Sequence, residues 1–231
     1  MGIYYLKKKN FDLKLLLMSI INNFIKIQDI VKSINSNCKI IAVTKSQSLE
    51  LIKPLLDYGH NHFGENKVQE AQEKWSTTLE NNNINLHLVG RLQSNKAEDA
   101  VNLFTHIHSL DSIKLAKKLS TSELKFKKKL KYFIQVNLDK DINKGGIFID
   151  ELDNLIKLCQ TELQLNIIGL MCLPSISSDA IEIFSKLHEI AIKYKLPDLS
   201  MGMSNDFIDA IKCGSTYIRI GSKIFSNNAV N

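Results

Sequence analysis

The side chain with the clearest reactive potential in this sequence is an amine at the end of an apolar run. Residues 39–45 read KIIAVTK, which predicts a buried strand that ends at Lys45. An amine that is desolvated at a strand end has a lowered pKa and can attack an aldehyde. For this residue taken alone, the plainer interpretation is a solvated lysine just beyond a strand.

A second apolar run near the end of the chain adds a group that the amine alone does not supply. Residues 217–222 read YIRIGS, which predicts a strand that opens into a turn at Gly221 and Ser222. Backbone N–H groups and a hydroxyl in such a turn are suited to a phosphate. An aldehyde and a phosphate on one small molecule suggest pyridoxal 5′-phosphate (PLP) as the cofactor.

Length and composition favour one globular domain. The chain has 231 residues, of which 44% are hydrophobic, and no apolar stretch is long enough to cross a bilayer. The four cysteines form no CxxC pair, so neither a disulfide framework nor a zinc site is predicted and a reducing compartment is expected. We expect a cytoplasmic protein, with organellar targeting by the N-terminal stretch as the weaker alternative.

The net charge of +6 comes with lysine clusters at residues 7–9 and 125–131, which have no platform of aromatic residues. This pattern is typical of a solvated surface and not of a nucleic-acid site. We therefore expect neither nucleic acid nor a membrane as a partner.

Strand-like and helix-like segments alternate along the whole chain. Strands are predicted near residues 39–45, 61–65, 85–90, 105–110, 131–138, 166–173, 197–202 and 217–221. Helices are predicted at 13–34 and near 48–58, 66–80, 94–103, 111–122, 150–163, 178–194 and 205–213. Asp111 and Ser204 lie where helix N-caps are expected, and Gly59 and Gly214 where helices are expected to end.

Alternating strands and helices indicate a parallel sheet, and about eight such units are typical of a TIM barrel. The alternative is an open doubly wound sheet, which usually has a glycine-rich turn after its first strand. Residues 45–48 read KSQS and contain no glycine. We therefore predict an α/β protein with a single (β/α)8 TIM barrel. It forms one domain over residues 1–231, with residues 1–19 as a flexible or helical extension.

The barrel prediction would bring the candidate groups together at one end. Active sites of TIM barrels lie at the C-terminal ends of the strands, and phosphate often binds after strands seven and eight. Lys45 ends the first predicted strand and residues 64–66 (GEN) end the second. Residues 202–205 (GMSN) follow the seventh strand, and Gly221 with Ser222 follows the eighth. One fold assumption thus gathers an amine and two phosphate-type turns at one rim.

Several sequence blocks in a fixed order carry a resemblance that covers about residues 20–226. The blocks are IAVTK (41–45), HFGENKVQE (62–70), VGRLQSNK (89–96), QVN (135–137), KGGI (144–147), GLM (169–171), LSMGMSNDF (199–207) and IRIGSKIF (218–225). Together they resemble the pyridoxal phosphate homeostasis proteins. That resemblance implies a barrel of the alanine racemase N-terminal-domain type that holds PLP as a Schiff base.

The resemblance also implies individual roles. Lys45 matches the Schiff-base lysine, Asn66 matches a residue beside the cofactor, and Arg219 matches the group that faces the pyridine nitrogen. The residues that match the phosphate cup are Ser204, Gly221 and Ser222. The family often has Thr at the position of Ser222, and the segment 225–228 (FSNN) lacks the usual glycine.

The resemblance further implies binding without turnover. Arg219 cannot accept a proton, so it would leave the pyridine nitrogen unprotonated and the ring a weak electron sink. Alanine racemase-like enzymes add a tyrosine base and a second domain. No tyrosine here matches that role, and no second domain is expected after Gly221. We therefore expect no catalytic residues and a PLP carrier or buffer in intracellular vitamin B6 homeostasis, a monomer or weak dimer, with apo PLP-dependent enzymes as partners.

Two enzymatic alternatives stay open on the sequence alone. The first is a small PLP-dependent amino-acid racemase. The second is a Schiff-base aldolase that would use Lys45 with a phosphorylated substrate.

Other candidate residues favour structural interpretations. Four histidines form two HxH pairs, and alternation along a strand would direct each pair to one face: His60, His62, His106 and His108. No third ligand is indicated, so no metal site is predicted. We interpret His87 and Trp75 as packing residues, the 144–146 turn as loop geometry, and Glu65 as a partner for a nearby cation.

Overall fold

Eight parallel strands close into a barrel in the computed structural model, which describes residues 2–76, 78–79, 83–139, 141 and 144–226. The strands neighbour one another in chain order, and β1 pairs with β8 to close the ring, with Ile41 opposite Arg219. Their bounds are β1 Lys39–Val43, β2 His62–Glu65, β3 Asn85–Leu88, β4 His106–Leu110, β5 Lys131–Gln135, β6 Asn166–Met171, β7 Asp198–Ser200 and β8 Tyr217–Ile220. The predicted barrel is confirmed, and the open-sheet alternative is wrong.

Helices connect the strands and surround the barrel. They are α1 Gly2–Ile34, α2 Leu49–Asp57, α3 Val68–Trp75, α4 Ala97–Leu103, α5 Ile113–Phe126, α6 Ile149–Lys157, α7 Ala180–Lys193, α8 Phe207–Lys212 and α9 Ser222–Phe225. A short 3₁₀ turn precedes α4, and a π-helical turn, Leu158–Glu162, continues α6. Residues 77 and 80 of the helix predicted at 66–80 lie outside the described residues. The segment 227–231 lies outside them as well. No helix in the described ranges is long and apolar enough to span a membrane.

Two of the predicted helix boundaries differ from the structure. The N-cap of α5 is Ser112 and not Asp111, because Ser112 has an extended backbone and its hydroxyl accepts the N–H of Leu115. The N-cap of α8 is Asp206 and not Ser204, whose hydroxyl instead faces α9. The two glycines predicted at helix ends do follow helices, with φ angles of +87° and +96° at Gly59 and Gly214.

Alternation along the strands separates two apolar layers. On β1, Ile40 and Ala42 belong to the layer between strands and helices, whereas Ile41 points into the barrel lumen. The outer layer includes Phe24 of α1, which is fully buried. The lumen cluster is small, and its fully or almost fully buried members are Ile41, Phe133, Met171 and Tyr217. The lumen therefore has room for polar side chains, which lie at both of its ends.

Candidate functional site

A cavity of about 750 Å³ opens at the C-terminal ends of the strands. This volume is in the range of small-molecule and cofactor sites. All six residues predicted for the site lie on its wall: Lys45, Asn66, Ser204, Arg219, Gly221 and Ser222. A second cavity, of about 320 Å³, lies along α7 beside His188 and contains none of them. The fold therefore brings the whole predicted set to one place.

Lys45 lies in a turn two residues beyond the end of β1 and is exposed to solvent. This exposure fits the plainer interpretation of the sequence, a solvated lysine just beyond a strand. The strand ends early because the chain turns at Ser46, whose φ is +60°. Helix α3 holds both sides of the turn: Lys74 Nζ donates to the Thr44 carbonyl at 2.7 Å, and the Ser46 N–H donates to Glu70 at 2.5 Å. The amine is thus exposed, while the backbone on either side of it is held by α3.

A buried carboxylate lies beneath this turn. Glu65 Oε1 accepts hydrogen bonds from the Thr44 hydroxyl at 2.6 Å, from Lys74 Nζ at 2.9 Å and from Trp75 Nε1 at 2.9 Å. The predicted pairing of Glu65 with a cation is confirmed, and Trp75, interpreted as a packing residue, is buried and also donates. Loss of one partner of such a buried pair is strongly destabilising. The pair therefore anchors the Lys45 turn to β2 and α3.

Two hydroxyls meet on the cavity wall after β7 and β8, on the side where β8 pairs with β1. The Ser222 hydroxyl donates to the Ser204 hydroxyl at 3.0 Å, and the Lys223 N–H lies 3.4 Å from the same Ser204 oxygen. Gly202 shapes this wall because its φ is +91° and a Cβ there would lie 2.5 Å from Ala210 Cβ. Hydroxyl and N–H donors in one turn form a suitable environment for an anion.

Arg219 is almost fully buried between the lumen and the cavity, with 4% of its surface exposed. Its Nη1 donates to the Ser200 hydroxyl oxygen at 2.7 Å, and its Nη2 donates to the Cys172 carbonyl at 3.0 Å. Burial lowers the pKa of Arg219 below its ordinary value. The guanidinium forms no ion pair with the described residues, so neutral oxygens hold it in place.

Asn66 is half-buried at the end of β2, and its position depends on a residue to which the sequence assigned no role. A Cβ on Gly90 would lie 2.2 Å from the Asn66 carbonyl oxygen, so only glycine permits the ends of β2 and β3 to approach this closely. Gly90 itself lines the cavity. Gly90 belongs to the block VGRLQSNK, which carries part of the family resemblance. The close approach of its backbone to Asn66 could not be predicted, because such a contact leaves no periodic pattern in a sequence.

The loop between β6 and α7 forms another wall and is tied down by Asp139. The Ser175 N–H donates to Asp139 Oδ2 at 2.6 Å, and Lys144 Nζ donates to the Leu173 carbonyl at 3.0 Å. Lys144 also pairs with Asp139 at 3.4 Å. Gly146 has a φ of +113°, which fits the interpretation of the 144–146 turn as loop geometry.

Four histidines surround Tyr217 in the lumen. Their ring centroids lie 6.0–6.3 Å from the Tyr217 ring, and they are His62, His87, His106 and His108. The second HxH pair faces one side, as predicted. The first pair does not, because β2 begins at His62, while His60 packs outside the barrel against Phe24 and Phe63.

Burial favours the neutral form of these imidazoles. His62, His87 and His108 are hydrogen-bonded to one another, whereas His106 is bonded to Thr105. Desolvation lowers the pKa of His60 and His62 to about 4 and that of His106 to about 3. The pKa values of His87 and His108, which are fully buried, also lie well below the ordinary value. His87 is bonded at both ring nitrogens, which the packing interpretation missed. No group of three or more metal-ligating side chains that could hold an ion occurs in the described parts of the chain.

Comparison with known proteins places this barrel in a family. The family model described as alanine racemase, N-terminal domain, matches residues 17–228. A Pasteurella multocida (strain Pm70) protein named pyridoxal phosphate homeostasis protein is 36% identical over 201 residues, which are 82% of this chain and 86% of that protein. The chain therefore belongs to the alanine racemase N-terminal-domain family and, within it, to the pyridoxal phosphate homeostasis proteins.

Solved structures agree with this assignment. PipY of Synechococcus elongatus PCC7942, determined without PLP, is 34% identical and superposes with a TM-score of 0.78 over 87% of this chain and 100% of PipY. The structure of PipY with PLP bound is 33% identical, with a TM-score of 0.75 and the same coverage. The resemblance carried by the sequence blocks is confirmed at the level of the family.

Proposed function

We propose that this protein binds PLP in the rim cavity, as a Schiff base on Lys45, and stores it or passes it on without turnover. The observation that carries the proposal is that an exposed amine, a pair of serine hydroxyls and a buried arginine line a single cavity. PLP bound to the related PipY supports it.

The donor set fits each end of the cofactor. Lys45 supplies the amine that would condense with the aldehyde carbon, forming a C=N bond and releasing water. Ser204, Gly221 and Ser222 supply hydroxyl and backbone donors for the phosphate. Arg219 supplies N–H groups, which match an unprotonated pyridine nitrogen because a guanidinium only donates. When bound, PLP supplies an electron-withdrawing ring, and an unprotonated ring is a weak electron sink.

The cavity wall supports binding over catalysis. A racemase needs acid and base groups on both faces of its substrate. Among the lining residues that the structure describes, none is a tyrosine or a histidine, and the Asp206 carboxylate accepts the Met203 N–H at 2.5 Å. We infer a cytoplasmic PLP carrier or buffer in vitamin B6 homeostasis, with apo PLP-dependent enzymes as the recipients.

The covalent link can be tested directly. The protein mixed with PLP and reduced with borohydride should carry the pyridoxyl group on Lys45, as peptide mass spectrometry would show. Lys45→Ala should lose the adduct completely. Lys67→Ala is the matched control, because Lys67 is exposed near the same rim but does not line the cavity. A label on another lysine would refute the assignment.

Turnover separates a carrier from the racemase alternative. Purified holo-protein should not racemise alanine, serine or glutamate above the rate of free PLP, as measured by chiral chromatography. It should restore activity to an apo PLP-dependent enzyme. Steady racemisation that disappears in Lys45→Ala would make this protein an enzyme.

The proposed oligomeric state is a monomer or a weak dimer, because the barrel and its cavity are completed within one chain. Sedimentation velocity should show mainly the monomer at micromolar concentration. A tight dimer whose partner contributes a residue to the cavity would contradict this.

A further inference from the structure

A row of hydrogen-bonded polar side chains runs through the lumen from its N-terminal end to the arginine on the cavity. His62 Nδ1 lies 2.9 Å from His87 Nε2, and His87 Nδ1 lies 2.9 Å from His108 Nε2. His108 Nδ1 lies 2.8 Å from the hydroxyl oxygen of Ser200, which is also bonded to Arg219. We define the histidine row by its four members: His62, His87, His108 and Ser200.

Arg219 fixes the direction of every hydrogen bond in the histidine row. A guanidinium can only donate, so the Ser200 oxygen is the acceptor of that bond. The single hydroxyl hydrogen of Ser200 has one acceptor among the described residues, Nδ1 of His108. His108 therefore carries its hydrogen on Nε2 and donates it to His87. By the same reasoning His87 carries its hydrogen on Nε2 and donates it to His62.

This direction suits a buried cation. In each neutral ring the unprotonated Nδ1 is the negative end of the dipole, and in all three rings it points along the row towards Arg219. Aligned dipoles in a low-dielectric interior reinforce one another. The histidine row thus supplies to Arg219 the negative potential that an ion-pair partner would otherwise provide.

We propose that the histidine row positions Arg219, so that the guanidinium stays charged and keeps one orientation towards the cavity. This inference deepens the proposed function and rests on it, because the orientation of Arg219 affects the cofactor only if PLP binds in the cavity. A pyridine nitrogen bound there would meet a donor whose protonation state does not change, which keeps the ring a weak electron sink. The histidines act through Arg219 and do not themselves touch the cavity.

The row also resists the entry of a proton. Every Nδ1 lone pair is already used along the row, so a ring can be protonated only if one of its hydrogen bonds breaks. The depressed pKa values of the three rings agree with this, and the surrounding charged groups, Lys39, Lys131 and Arg219, all act in the same direction. The row should therefore stay neutral and keep its direction at neutral pH.

The first test measures the tautomers of the protein without PLP. Nitrogen-15 NMR of protein labelled at histidine should show His62, His87 and His108 as neutral rings with the hydrogen on Nε2. A hydrogen on Nδ1 of any of the three, or a doubly protonated ring, at neutral pH would overturn the proposal. Because no cofactor is present, this result does not depend on the proposed function.

The second test asks whether the row acts on the bound cofactor. Ser200→Ala should give His108 a second tautomer and shift the pyridine nitrogen-15 resonance of labelled PLP. His87→Phe, which leaves the bond between Ser200 and His108 intact, should give a smaller shift. The matched control is His106→Phe, because His106 is buried in the same cluster and stacks on His87, but bonds to Thr105 and not to the row.

The outcomes of this second test are distinct. An unchanged pyridine resonance in Ser200→Ala, or an equal shift in His106→Phe, would overturn the positioning role. A native protein that does not bind PLP at all would instead refute the proposed function, and the tautomers of the unliganded protein would still decide the direction of the row.

Discussion

The two ends of the barrel lumen are both polar, but their polar groups find partners in different ways. At the N-terminal end, histidines bond to one another and Lys39 donates to the Tyr217 hydroxyl at 2.7 Å. At the C-terminal rim, Lys45 is exposed and Ser204 and Ser222 bond mainly to each other beside an open cavity. The first end is a closed network that stabilises the fold, whereas the second leaves hydrogen-bonding capacity for a ligand. Substitutions at the N-terminal end should therefore mainly change stability, and substitutions at the C-terminal rim should mainly change the affinity for PLP.

The largest expected effect comes from lowering the pH, which acts on the closed end. Five histidines have depressed pKa values, of which His87, His106 and His108 are buried, and His60 and His62 are half-buried. Between about pH 6.5 and pH 4 the unfolded chain binds more protons than the folded one, so the free energy of unfolding falls as the pH falls. At pH 5, each histidine that stays neutral lowers it by about 2 kcal/mol.

This pH dependence can be measured by urea unfolding at a series of pH values. His106→Phe should reduce the dependence of the free energy of unfolding on pH by about the contribution of one histidine. Stability that is constant from pH 7.5 to pH 5 would show that the buried rings are not held neutral.

The next largest effect is expected from the ring at the centre of the closed end. Tyr217→Ala should lower the free energy of unfolding by about 3–5 kcal/mol, because it empties the space between the histidines and Phe133. Tyr217→Phe keeps the ring and loses only the bond from Lys39, so about 1 kcal/mol is expected. Equal losses in the two variants would mean that the hydroxyl and not the ring supports the lumen.

The smallest effect on stability, with a clear effect on binding, is expected at the open end. Ser204→Ala combined with Ser222→Ala should change the free energy of unfolding by only about 0.5 kcal/mol. Each lost charge-assisted bond should weaken PLP binding by about 1.5–3 kcal/mol, which is tenfold or more. Pyridoxal, which has no phosphate, should bind almost as before.

Equilibrium dialysis with both ligands measures this difference. Ser178→Ala is the control, because Ser178 lines the cavity in a different loop and bonds to Asp139. Equal losses of PLP and pyridoxal in the double variant would contradict the phosphate cup.

The grouping of the site residues at the rim could be predicted from the sequence. Each of them lies at or just after the end of a predicted strand, and the C-terminal ends of the strands in a barrel lie on the same side. The turn that holds Lys45 could not be predicted, since it depends on the backbone conformation of Ser46 and on hydrogen bonds to side chains of α3. The histidine row was also missed. The strand registers place His87 beside Gly64 of β2 and beside His106 of β4, and this alignment brings the imidazoles together. The register between two strands cannot be read from the sequence of either strand alone.

The pairing of β1 with β8 has a consequence for how the protein is made. Lys45 leaves the ribosome well before Arg219 and Ser222, and they come together only when Ile41 pairs with Arg219. Such long-range pairing forms late in folding. A nascent chain that stops before Ser222 would therefore present the lysine without the phosphate cup, so the proposed capacity to retain PLP should arise only after Ser222 has been added and β8 has paired with β1.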